Sequence, residues 1–259
     1  MIFDRLNNQS IDYFLYQWMW KALDWLYPPS CGGCGKRYER WCSACQNKSQ
    51  KPLNITHTRG GRNHSLNRIS VAHPTSQSPN PYVTSWGTFS GPLREAIHKL
   101  KYKRDMGLGE ALSKHLISLL QKYNWPIDII LAVPLSSERL KTRGYNQSAL
   151  LALPVSLYCK IPFKSKAIWR TRDTMSQVGL SPSERRLNVA GAFQADPDVL
   201  NNKTVLIIDD VTTTGATINA CAKALSDAGA EFVYGLTLAS AVSNPDFVHH
   251  LPKLISMSE

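Results

Sequence analysis

Residues 205–217 read VLIIDDVTTTGAT, an unbroken apolar run that stops at two adjacent acids and passes into a loop of hydroxyls and one glycine. A strand that is apolar on both faces has to be covered on both faces, which is the requirement of a parallel sheet layered between helices. Downstream, Ile218, Cys221, Ala222 and Leu225 recur on one face of a helix that Gly229 stops, and FVYGLTLA at 232–239 is a second apolar strand. Strand, helix and strand in this order imply a right-handed parallel crossover. A third run, DIILAVPL at 128–135, ends in a loop followed by a helix near Asn146 to Ala152. Before it, GPLREAIHKLKY places Leu93, Ile97 and Leu100 on one face, and GLGEALSKHLISLLQKY does the same with Leu108, Leu112, Leu116 and Leu119. The expected fold is α/β, a parallel sheet flanked by helices.

Ligands of open parallel sheets bind beyond the carboxyl ends of the strands. There the sequence predicts that Asp209 and Asp210 leave the strand as adjacent carboxylates, followed by Thr212, Thr213, Thr214, Gly215, Ala216 and Thr217. Hydroxyls, a glycine that admits close approach and the free amides of a helix N-terminus cradle a phosphate. Carboxylates beside such a cradle repel a bare phosphate, but a phosphorylated ribose offers its diol to the acids and its phosphate to the amides. Magnesium on an attached pyrophosphate would offset the remaining charge. A plain strand-to-helix loop with an acidic cap pair is the simpler alternative.

Four of the six cysteines form two knuckles, Cys31-Gly-Gly-Cys34 and Cys42-Ser-Ala-Cys45, separated by seven residues. This spacing suits a structural zinc in a small finger, with a redox dithiol as the alternative. Lys36, Arg37 and Arg40 between the knuckles are expected to lower the thiol pKa values, and Tyr38 and Trp41 to offer flat faces for stacking. Cysteines in metal spacing, with Cys159 and Cys221 alone, point to a reducing compartment, the cytoplasm. No secretory leader or membrane span is indicated.

Residues 11–27, IDYFLYQWMWKALDWLY, predict a helix closed by Pro28 and Pro29; it packs on the protein itself or lies on a membrane surface or partner. From Gln46 to Ser85 the chain has no acid and five cations, Lys48, Lys51, Arg59, Arg62 and Arg68, and reads as a flexible basic linker, either a spacer or a tether for nucleic-acid phosphates. The formal charge of +11 favours acidic partners. The expected division is an aromatic-rich helix at 1–29, a four-cysteine zinc finger at 30–46, the linker at 47–85, the α/β domain at 86–245 and a tail at 246–259.

The run at 205–217 resembles the thirteen-residue signature of type I phosphoribosyltransferases. With IHKLKYKRD at 97–105, VPLSSERLKTRGYNQ at 133–147 and QVGLSPSERRLNVAGAF at 177–193, it stands in the order seen in the ComF family of bacterial competence proteins. The resemblance covers most of residues 86–241. It implies a type I phosphoribosyltransferase-like domain in which phosphoribosyl pyrophosphate (PRPP) and Mg2+ bind at Asp209, Asp210 and residues 212–217. Pro134 and Leu135 would face pyrophosphate, with Arg139, Arg143 and Asn146 in the phosphate surroundings. Ser183, Glu184, Arg185 and Arg186 resemble a mobile hood, with a solvated face as the alternative for the two arginines.

The family also carries an N-terminal cysteine-rich finger and implies a role in natural competence and DNA uptake, with single-stranded DNA and the uptake machinery as partners. The alternative is an active phosphoribosyltransferase of nucleotide metabolism. Purine-using relatives of this fold carry an acid two residues before the loop glycine, where this chain has Thr213, and a hydroxyl cannot act as the base at neutral pH. Relatives that use orotate also lack the acid, so the resemblance leaves the acceptor base open.

Overall fold

A computed structural model describes residues 11–49, 82–172 and 181–241, apart from the side chains of residues 182, 185 and 186. The chain opens with helices α1 (Ile11–Leu26) and α2 (Ser43–Ser49). Strand β1 (Tyr82–Thr88) leads into α3 (Gly91–Tyr102), α4 (Gly107–Tyr123), β2 (Ile129–Ala132), α5 (Ser137–Arg143) and α6 (Gln147–Cys159). A two-stranded unit, β3 (Ile168–Arg170) with β4 (Phe193–Ala195), encloses α7 (Pro182–Val189). The short α8 (Pro197–Leu200), then β5 (Thr204–Thr212), α9 (Ala216–Asp227) and β6 (Phe232–Ser240), complete the fold.

The sheet has the order β1-β6-β5-β2, and every pair in it is parallel. Alternation along β5 divides the core as the doubly covered strand requires. Leu206 and Ile208 join Leu93, Ile97 and Leu100 of α3, Leu112 and Leu116 of α4, and Leu151 and Val155 of α6. Val205 and Ile207 face the other layer, with Ile218, Cys221 and Leu225 of α9 and Phe193 of β4. Because all four strands are parallel, the loops after β2 and β5 open on one edge.

Two features differ from the sequence expectation. First, β1 is an unforeseen edge strand whose first four residues fall in the segment read as linker. Its polar residues give it the look of a loop, yet they are satisfied by the neighbouring strand: Ser85 Oγ and Thr237 Oγ1 share a 2.6 Å hydrogen bond. Second, Asp209 and Asp210 do not leave the strand. β5 runs two residues further because β6 is equally long and pairs Val211 with Ala239 and Thr212 with Ser240.

Helix α1 packs on one side only. Tyr13 sets its ring edge-on to Tyr158 of α6 at 5.1 Å, and Gln17 donates to Glu110 of α4, whereas Trp18 and Trp25 on its other side are exposed. Among the described residues no helix is long and apolar enough to cross a membrane. Residues 50–81, most of the expected linker, and the expected tail at 246–259 lie outside the described residues.

Candidate functional sites at the sheet edge and the cysteine cluster

Asp209 and Asp210 sit at the carboxyl end of β5, both buried. Ser148, in the first turn of α6, donates its hydroxyl to Asp209 Oδ1 at 2.8 Å, and the Asp210 amide donates to the same oxygen at 2.9 Å. Asp210 Oδ1 accepts from the Val211 amide at 2.8 Å, and its Oδ2 lies 2.7 Å from Lys101 Nζ at the end of α3. One lysine therefore answers two buried carboxylates. Burial first and the neighbouring Asp210 second raise Asp209 to about 7, against the pull of Lys101 and the hydrogen bond from Ser148.

Beyond Thr212 the chain bends through Thr213 and Thr214 and enters α9 at Gly215. Gly215 takes φ +74, a left-handed conformation that costs about 1–2 kcal/mol in any other L residue. An added Cβ there would meet only Asn219, at 3.6 Å, so the glycine is needed for its backbone and not for space. Residues 211–215 are partly exposed beside the first turn of the twelve-residue α9, and the Thr214 hydroxyl accepts from the Ala216 amide.

Pro134 and Leu135 follow β2 on the same edge, held next to β5 by the bond from the Val133 amide to Ile208 O. Arg139 is half-buried in α5, whose cap is the Ser136 hydroxyl. Arg143 turns its guanidinium to Gln147 Oε1 at 2.9 Å and over the Tyr102 ring at 4.9 Å. Both ends of the Asn146 amide are engaged in the fold: Nδ2 donates to Val133 O and Oδ1 caps α6 at the Ser148 amide. In the segment expected to form a hood, Ser181 and Glu184 close a reciprocal capping box on α7. Gln177 to Leu180 and the side chains of Arg185 and Arg186 lie outside the described residues.

Sequence reasoning missed Lys101 and Ser148. Lys101 is one of three lysines in the acid-free run 98–104, and nothing local marks it as the one that crosses 109 positions to Asp210. Ser148 directly follows the RGYNQ segment, and its place beside a capping asparagine is the signal that could have drawn attention to it.

The sulfurs of Cys31, Cys34, Cys42 and Cys45 all lie within 4.8 Å of one another. Cys42 Sγ is 3.6 Å from Cys31 Sγ and 3.7 Å from Cys34 Sγ. Four sulfurs about 2.3 Å from a zinc ion would be spaced by about 3.8 Å, whereas a disulfide holds its sulfurs at about 2.05 Å. The cluster can therefore hold a structural metal such as zinc. Burial pushes Cys31 up, but the N–H groups of Cys34, Cys42 and Gly33 and the Cys42 thiol outweigh it and bring Cys31 down to about 6; burial pushes Cys45 up.

The cations between the knuckles are engaged beyond the thiols: Lys36 is raised first by its bond to Glu39 and also by the charges of Cys42 and Cys34. Lys36 pairs with Glu39, and Arg40 reaches Asp24 of α1 and, at 3.4 Å, Asp105. Trp41 is partly buried and docks edge-on to His115, which stacks on Trp86 at 3.7 Å. Tyr38 is the exposed ring of the module. Arg40 passes so close to Gly107 that a Cβ there would lie 2.0 Å from its guanidinium.

A parallel α/β fold with an acid pair and a glycine-turned loop at its sheet edge, joined to a four-cysteine cluster, defines the class of protein to which the chain conforms. The chain is 35% identical over 164 residues to DNA utilization protein YhgH of Escherichia coli O157:H7, a match covering 61% of this chain and 72% of that protein. It is 27% identical over 222 residues to competence protein F of Haemophilus influenzae, covering 82% and 85%. The chain belongs to the ComF family, which these two proteins represent. No family model matches it. Among solved structures, purine phosphoribosyltransferase from Pyrococcus horikoshii is similar at 19% identity and a TM-score of 0.33, over 53% of this chain and 76% of that one.

Proposed function

We propose that the edge formed by residues 209–217 binds PRPP and that the protein serves the handling of single-stranded DNA in competence or DNA utilization, the roles carried in the names of its relatives. The observation that carries the ribose reading is the buried pair Asp209 and Asp210, undercompensated by one lysine and set directly before the glycine-turned loop at the N-terminus of α9. In this reading the acids accept from the ribose diol, and the amides and hydroxyls of residues 212–217 hold the 5-phosphate. The loop of Pro134 and Leu135, with Arg139 and Arg143 nearby, faces pyrophosphate. Magnesium would arrive on that pyrophosphate, where it supplies charge neutralisation.

Three features support the DNA reading: the charge of +11, the acid-free segment from Gln46 to Ser85, and the cations at 98–104. Thr213 takes the place at which a purine-using transferase carries its base, so the proposal is of binding, with turnover as a measurable addition. Calorimetric titration of PRPP with magnesium into the wild-type protein and into Asp209→Asn/Asp210→Asn tests the site, repeated with single-stranded DNA present. Saturable binding lost in the double variant is the expected result. No heat with the wild-type protein would overturn the ribose reading, and base-dependent release of pyrophosphate would convert the binder into an enzyme.

A further inference from the structure

At the end of α3, beside the carboxylate pair, the chain exposes an aromatic ring among unpaired cations. Tyr102 is 59% exposed although it ends a helix whose other face is fully buried. The Arg143 guanidinium lies 4.9 Å from the ring centroid, and the His98 ring stands one helical turn away at 4.8 Å, tilted by 46°. Lys103 and Arg104, the two residues that follow it, are exposed, and neither forms an ion pair among the described residues. Residues 98–104 contain no acid; Asp105, which follows, is drawn to Arg40.

An exposed ring contributes little to folding, and the two uncompensated cations beside it repel each other and the Arg143 guanidinium, so the patch is arranged for something outside the chain. A duplex hides the faces of its bases and would leave Tyr102 nothing to stack on. A single strand offers both the faces and the phosphates. We infer that Tyr102, with His98 and Arg143 behind it and Lys103 and Arg104 beside it, is a stacking platform for a base of single-stranded nucleic acid. The inference rests on the reading that the chain handles single strands, and it gives that reading a location outside the cysteine cluster. Lys101, the preceding residue, is the one that reaches Asp210.

The test is fluorescence anisotropy of a labelled 20-mer of deoxythymidylate, titrated with the full chain as wild type, Tyr102→Ala, Tyr102→Phe and Lys103→Glu/Arg104→Glu. Duplex, oligouridylate and an abasic strand of equal length serve as competitors. Loss of one stacked base is expected to weaken binding about tenfold or more in Tyr102→Ala, while Tyr102→Phe retains the wild-type affinity. The charge-reversed variant should bind more weakly and with a shallower salt dependence. Oligouridylate that competes as well as DNA keeps the platform and makes it indifferent to the sugar.

Equal binding by wild type and Tyr102→Ala would overturn the platform while leaving the DNA reading intact. An abasic strand that competes equally would reduce the patch to a polyanion surface and also overturn it. A wild-type protein that binds no oligonucleotide would remove both readings. The Asp209→Asn/Asp210→Asn variant is expected to bind the oligonucleotide as wild type does, which separates this surface from the ribose site.

Discussion

Replacing Asp209 with asparagine should make the ligand-free protein more stable, by a margin that grows as pH rises from about 4 and levels off above about 7. Burial and the neighbouring Asp210 push the folded carboxyl up to about 7 where an ordinary aspartate has 3.8, a cost on the order of 4 kcal/mol. Between these values the folded chain holds a proton that the unfolded chain has released. Stability therefore falls as pH rises from about 4 to about 7, and the whole cost is present above 7. The asparagine side chain would keep an acceptor for the Ser148 hydroxyl and the Asp210 amide, and it would remove the repulsion from Asp210. The expected outcome is equal stability near pH 4 and a gain for the variant at pH 8 that approaches about 4 kcal/mol. Urea unfolding of both proteins across this range, without phosphate or magnesium, reads the difference directly. His115 and the thiols titrate in both proteins and cancel. A difference that stays constant with pH would refute the reasoning, because it would mean that Asp209 is ionised in the fold at no electrostatic cost.

Burial, and then Lys114, lower His115 to about 4, so the chain should lose about 3 kcal/mol as pH falls from about 6.5 to 4; His115→Phe, which keeps the stack on Trp86, should flatten this limb of the acid-unfolding curve. Metal analysis of protein purified without chelator should find about one zinc per chain, and a chelator that removes it should change the fluorescence of Trp41 and Trp86, which meet at His115. Gly107→Ala should lower stability by about 1–3 kcal/mol in thermal unfolding, since the methyl group would displace the Arg40 guanidinium from Asp24 and Asp105. Gly215→Ala should weaken PRPP affinity and lower the melting temperature by a few degrees, because alanine costs about 1–2 kcal/mol in the left-handed turn although the space around it is open.

The parts of the fold that were legible are those where one face or both faces of an element are uniformly apolar. VLII, FVYGLTLA and the leucines of α3 and α4 declare their elements by period alone. β1 was hidden because an edge strand with Thr84, Ser85 and Thr88 finds its hydrogen-bond partners on a strand some 150 residues away, and no local pattern records this. The site shows the same division. Its acids, glycine and threonines are contiguous and could be read as a unit. Lys101 and Ser148 arrive from other helices and become visible only when the sheet edge assembles. The cysteines were legible by spacing, while the role of Arg40 was not, because its acids, Asp24 and Asp105, lie outside the finger.

Helix α3 is held from opposite sides. Lys99 donates to Cys31 O at 3.2 Å and Lys101 reaches Asp210 at 2.7 Å; two residues apart, they diverge by about 200° around the axis. A helix pinned in this way cannot roll. Any rotation that shortens one contact lengthens the other, and inserting one residue ahead of Lys99 would swing both through about 100° and release both at once. The cysteine loop and the carboxylate at the sheet edge thus share an axle, and the phase of that axle is set by the residues between Gly91 and Lys99.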